Sequence, residues 1–293
     1  LAAATTAAFA RIEQQRQEAL RAALKPLLYP VVIQHYRAAL GRDPDDAEWT
    51  ALLTPLAEAL QATPEAPVDL AALRAAIQQR PDAAQRVAEV AAIRRRVREG
   101  LTAYVAATPD EQAERLRRWG LAPADARPLT PEAVTALLAS LDRRSMHFGQ
   151  SAFLAVQEYL AAQGIVVDLV TLAAEAVLVD ALTGVLTPES GPELLLSVDA
   201  LVRVAVAHGA VAIPMQSTFE ALQAQLTPTP EHPAATPVIA HVQGNHYLLV
   251  QAIAPDGTIT YREPNEGPGG ATHTMSQTQF QSLWQGVVLG ARA

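Results

Sequence analysis

Strand-like sequence is confined to the end of this chain, and that confinement limits the folds open to it. "PVIAHVQG" and "NHYLLVQAIAPDGTITYREP" are β-branched and alternating, the second interrupted by a turn at Asp256–Gly257, and "QGVVLGARA" returns to strand. Everything ahead reads as helix. Phe9, Ile12, Leu20, Leu24, Leu27 and Leu28 recur at spacings of three and four. Pro26 and Pro30 are expected to end or kink that first helix, because proline lacks the amide donor and crowds the preceding turn. Asp43 is expected to cap the next helix, with Pro44 at its first position. Two more helices are expected near 70–79 and 82–106. Thr108 and Glu111 form a capping box for another, and Gly120 is its stop. "GQSAFLAVQEYLAAQG", "VDLVTLAAEAVLVDALTG" and "SVDALVRVAVAHG" are helices each closed by glycine. Capping boxes Ser217–Glu220 and Ser276–Gln279 open two shorter ones. Helices first and an antiparallel sheet last make an α+β arrangement. "LAPADARPLTPEA" (121–133) is the linker candidate. The expected organisation is an all-helical region at 1–125, a linker with the first helix of the next domain at 126–139, and a second domain at 140–293.

Half of the 293 residues are apolar, enough for a sizeable core. There is no cysteine, which excludes disulfides, thiolate metal sites and thiol nucleophiles in this chain and leaves the compartment open. Charge is divided unevenly. Residues 1–140 carry 17 basic and 17 acidic side chains, and residues 141–293 carry 5 and 13, so the net −8 sits in the second part. Such a surface repels nucleic acid and anionic lipid, and neither is expected as a partner. The basic cluster "IRRRVREG" (93–100) reads as a solvated helix face. Arginine-rich usage with Lys25 as the sole lysine suggests a GC-rich bacterial genome. No apolar run reaches the length of a transmembrane helix. "LAAATTAAFA" lacks the basic start of a signal peptide. A chain opening on leucine is expected to be a piece of something longer, with a secreted or cell-surface setting.

"RSMHFGQSAFLAVQEYL" (143–159) has the rhythm of a tight turn feeding an apolar helix. "TPVIAHVQGNHYLLVQAIAPDGTITYREPNEG" adds a strand, a histidine strand, a turn, and a carboxylate beside a proline. "SQTQFQSLWQGVVL" closes the chain around a tryptophan. In this order the three segments resemble family 39 of the cysteine peptidases, papain-like enzymes that cut leader peptides after double glycine. The resemblance implies a papain-like domain over roughly 140–293. In that family, a cysteine at a helix start gains thiolate character from the amide dipoles there. A histidine on the sheet takes its proton, and a carboxylate orients the histidine.

By the resemblance, His246 in "GNHYLL" matches the base. Glu263 in "REPNEG" stands where the family has Asp. Phe148 occupies the nucleophile position. Asp142 stands near the place of the oxyanion-holding Gln, where an acid repels a developing negative charge. The site thus reads as a vestigial base and orienter without nucleophile or oxyanion donor. Ser145 and Ser151 flank Phe148, with Ser151 about one turn into the helix and aimed away from the cleft mouth. His147 reads as a surface or cleft-lining residue. His241, His246, His273 and Glu263 show no tight ligand pair, so neither a metal nor another cofactor is expected. Read without the family, His246 is a core histidine hydrogen-bonded to Glu263.

Three functions are compatible with these residues. One is a catalytically inactive, pseudopeptidase module that binds a peptide or protein. Another is a structural subunit of an extracellular or surface assembly, built by self-association. The third is an inactive variant of a double-glycine leader peptidase. A second, shorter resemblance lies in "VVIQHYRAALGRDPDDAEWTALL" (31–53). Tyr36, Arg37, Leu40, Gly41, Arg42, Pro44 and Asp45 fit the mark of a helical module of unknown function in secreted bacterial proteins. Read plainly, the same stretch is a helix–turn–helix join.

Overall fold

Side-chain caps and small tertiary clamps decide where the helices of this chain begin and end. The computed structural model describes residues 2–40, 43–64, 67–144, 146, 150–191, 194–227, 236–243, 246–266 and 271–290, and of 2–9, 150 and 265 the backbone alone. The chain divides into two compact units, 1–87 and 88–293.

The first unit holds α1 (Ala2–Leu40), α2 (Asp46–Ala62) and α3 (Leu70–Gln78). α1 continues through Pro26 and Pro30, so the prolines do not end it. The two prolines are four residues apart, so their rings share one face, and both are exposed. Leu24, Leu28, Val32 and Tyr36 lie buried with Trp49, Leu53 and Ala57 of α2 and Leu73 and Ile77 of α3. Each buried Leu, Val or Ile among them contributes about 1.5–3 kcal/mol, and together they offset local losses at two prolines. The cap of α2 is Asp45, in a reciprocal box with Glu48, and not Asp43. Asp43 is engaged by Arg37, whose Nη2 donates to Oδ2 at 2.9 Å. Arg80 lies over the buried Tyr36 ring at 5.6 Å and pairs with Glu48 at 2.6 Å and Asp82 at 3.1 Å. The Tyr-Arg…Pro-Asp stretch therefore has a structural account as a clamp on a helix join. Its Gly41 and Arg42 lie outside the described residues.

The unit boundary falls within α4 (Pro81–Val105) and precedes the expected one at 125/126. The reason is packing. Ile93, Val97 and Leu101 of α4, Leu116 of α5 (Pro109–Arg117) and Leu137 of α6 (Pro131–Arg143) share one core with the following helices. The stretch 121–133 is not a free linker. Leu121 is buried, and Arg127 donates its N–H to the Leu182 carbonyl at 2.8 Å and its Nε to that of Ala181 at 3.1 Å. The arginine run ties helices together beyond being a solvated face. Arg94 donates to the Arg144 carbonyl at 3.0 Å and Arg98 pairs with Asp142 at 3.0 Å.

Next come α7 (Gln150–Ala162), α8 (Leu169–Thr183) and α9 (Val198–Ala207). Asp180 of α8 is fully buried and receives the Ser197 N–H at 2.8 Å and the Ser197 hydroxyl. Ser197 in turn caps α9. The sheet follows, with β1 (Ile213–Gln216), β2 (Val238–Val242), β3 (His246–Ile253), β4 (Ile259–Arg262), β5 (Thr272–Met275) and β6 (Trp284–Gly290). Its order is β1-β6-β2-β3-β4-β5 and all pairs are antiparallel. α10 (Phe219–Leu226) and α11 (Gln277–Leu283) complete the fold. Thr218 caps α10, and not Ser217, whose N–H is taken by the Gly286 carbonyl at 2.8 Å. β1 has no counterpart among the expected strands: it is four residues long, contains Pro214 and lies at an edge.

Side chains alternate across the strands and feed two cores. Ile239, Tyr247, Leu249 and Leu289 face the core that holds α7, α8 and α9. Val238, Ala240, Val250, Ile259 and Val288 face Phe219, Leu222 and Leu226 of α10 and Phe280 of α11. The fold is α+β, with the sheet covered on both sides. Among the described residues no helix is long and apolar enough to cross a membrane.

Candidate functional site

The start of β3 and the end of β4 meet because the two strands run antiparallel, with Leu249 opposite Arg262. That register brings His246 and Glu263 together. Nε2 of His246 lies 2.8 Å from Oε2 of Glu263. An ionised carboxylate only accepts, so the imidazole donates from Nε2 and its neutral form keeps Nδ1 as an acceptor. The two side chains are 25% and 22% exposed, so the pair is part-buried at the surface and not in the core.

α7 packs against β3 and against the 3₁₀ turn Pro264–Glu266 that follows Glu263. Its buried face carries Ala152, Phe153, Ala155, Val156, Tyr159 and Leu160. One acid interrupts that face. Glu158, 11% exposed, lies 3.0 Å from Nη2 of Arg262, itself 19% exposed. Among the described residues neither Glu158 oxygen makes a well-aligned hydrogen bond, nor do Nε and Nη2 of Arg262. Burial pushes the Glu158 carboxyl above its ordinary range, Arg262 opposes the shift, and the Glu263 charge adds to it. Sequence reasoning passed over this pair. Its signal was an acid between the apolar Val156 and Tyr159 of an apolar helix.

The remaining site residues are dispersed. Asp142 lies on α6, half-exposed, in its ion pair with Arg98. Phe148, Ser145 and His147 lie outside the described residues. Ser151 is buried within α7. His241 stacks on Tyr247 at 5.0 Å between ring centres, and His273 meets Glu266 at 2.8 Å. The histidines thus have separate neighbours, and among the described residues no group of three His, Cys, Asp or Glu could hold a metal ion. Burial pushes the Tyr247 hydroxyl up to about 12, with Asp180 adding to the shift, so it stays protonated at neutral pH.

Residues 189–292 match the family model of the Peptidase C39 family. The chain carries a peptidase C39-like domain. The match runs from the segment ahead of α9 into the residues after β6, and so takes in the His246–Glu263 pair. Among solved structures the chain is similar to a double glycine motif protease from an AMS/PCAT transporter in complex with the leader peptide. That likeness has 14% identity, covers 48% of this chain and 81% of that one, and has a TM-score of 0.34. It is also similar to the N-terminal peptidase C39 like domain of a toxin secretion ATP-binding protein from Vibrio parahaemolyticus, with 16% identity, 47% and 92% covered, and a TM-score of 0.32. For the peptidase domain of Streptococcus mutans ComA the figures are 22% identity, 33% and 75% covered, and a TM-score of 0.26. No curated protein matches the chain.

Proposed function

We propose that the C39-like domain binds peptide segments without cutting them. The observation that carries this reading is the absence of cysteine from all 293 residues of a chain that keeps the His246–Glu263 pair. Acyl transfer in this family runs through a thiolate, and an imidazole without one has nothing to activate. Phe148, at the nucleophile position by sequence, has no ionisable atom. Asp142, near the place of an oxyanion donor, is an acid already paired to Arg98. In this reading His246 and Glu263 are the vestigial base and its orienter, and Nδ1 of His246 offers a hydrogen-bond acceptor to a peptide N–H. The acidic balance of residues 141–293, 13 against 5, favours a basic or flexible peptide.

The test uses the whole chain and a fluorescent peptide ending its leader in double glycine, followed by anisotropy and mass spectrometry. Saturable binding that weakens with salt and with His246→Ala, with the peptide intact, is the expected result. New peptide termini produced by the unaltered chain would overturn the reading. Cleavage gained by Phe148→Cys would show a leader peptidase disabled at one position.

A further inference from the structure

Among the described residues, the imidazole of His246 and the guanidinium of Arg262, the neighbour of Glu263 in sequence, are cationic or potentially cationic candidates for the Glu263 carboxylate. A guanidinium offers a carboxylate two parallel N–H donors and outcompetes a neutral imidazole wherever it can reach. In this structure it is held elsewhere. Arg262 turns toward α7 and lies 3.0 Å from Glu158, while Glu263 lies 2.8 Å from His246. Glu158 stands out on a helix face otherwise given to apolar packing, and burying a carboxylate there is costly unless a cation is close. The carboxyl of Glu158 also responds to Arg262 and Glu263 with opposite signs, which places all three within one electrostatic neighbourhood.

We propose that Glu158 is a positioning residue: it sequesters the Arg262 guanidinium on α7 and thereby leaves Glu263 to fix the ring and tautomer of His246. The inference rests on the reading of His246–Glu263 as the working pair of the site. Glu158 touches no ligand in this scheme; it acts through Arg262.

A sequestering role and a simple strut differ in how they respond to paired substitutions. The readout is the Nε2–H proton of His246 in the intact, ¹⁵N-labelled chain, assigned by its loss in His246→Ala. A proton held by a carboxylate exchanges slowly and is seen at low field. Glu158→Gln frees Arg262, which then takes Glu263, and the signal is lost. Arg262→Met removes the competitor, and the signal stays. Glu158→Gln combined with Arg262→Met restores it. A strut would instead lose the signal in both single variants with no rescue in the double one, and that result overturns the inference. Should Glu158→Gln not fold, Arg262→Met decides alone: retention supports sequestration and loss overturns it. If the unaltered chain shows no such proton, the working pair itself is wrong; if it does and Glu158→Gln leaves it unchanged, only the role of Glu158 falls.

Discussion

His246 and Glu263 are each about three-quarters buried, so neither is fully solvated when its partner is removed. His246→Ala is expected to cost about 1–3 kcal/mol, because Glu263 loses a charge-assisted partner. Urea unfolding checks this, and an unchanged midpoint means the bond adds nothing to the fold. Asp180 gives a pH-dependent counterpart. Burial raises its carboxyl above the ordinary value, with the Ser197 hydrogen bonds opposing the shift. The native state therefore holds that proton more tightly than the unfolded chain does. The associated stability is full below the ordinary carboxylate pKa and is lost as pH rises through the raised native one. Asp180→Asn removes this titration, so the stability gap between the unaltered chain and the variant should narrow as pH rises across that window. A gap that widens would refute the assignment. The His246–Glu263 pair was legible beforehand through the resemblance, which matched the two residues to a base and its orienter; alternation alone would not have fixed it, because the β3–β4 register shifts between Val250 and Ala252. Glu158 and Arg262 were not, since a charge in a helical sequence reads by default as solvent-facing, and only the packing of α7 shows otherwise.

Helix ends were the most readable elements, and the errors came where two capping groups competed. Asp43 and Asp45 both precede α2, and Arg37 claims the first. Ser217 and Thr218 both precede α10, and the β6 residue Gly286 takes the Ser217 N–H. In each case a partner distant in sequence or absent from local rules decided the matter. Asp45→Ala should lower stability by about 1 kcal/mol, the usual cost of an N-cap, while Thr218→Ala and not Ser217→Ala should do so at α10. The prolines of α1 invite the opposite experiment. Pro30 is exposed within a continuous helix. Pro30→Ala restores an amide donor to the Pro26 carbonyl and should stabilise the first unit by roughly 1–3 kcal/mol. A fall in melting temperature would mean the ring contributes packing that outweighs the missing bond.

The two compact units have separate cores, and the second extends back to residue 88. A fragment of residues 88–293 should unfold cooperatively with dispersed amide resonances. One beginning at 126 loses Ile93, Val97, Leu101 and Leu116 from its core and should not. The α+β class was visible in where the alternating segments fell, whereas the boundary was hidden because a Pro/Ala-rich stretch can be laid down on a helix as readily as it can join two domains. The sheet has apolar cover on both faces, from α7, α8 and α9 on one side and α10 and α11 on the other. The peptide proposed above is thereby denied the broad surfaces of the sheet, and a visit to His246 falls at the tip where β3 starts. Hydrogen exchange should then register such a visit only at the first amides of β3 and the last of β4, leaving the middle of every strand as slow to exchange as before.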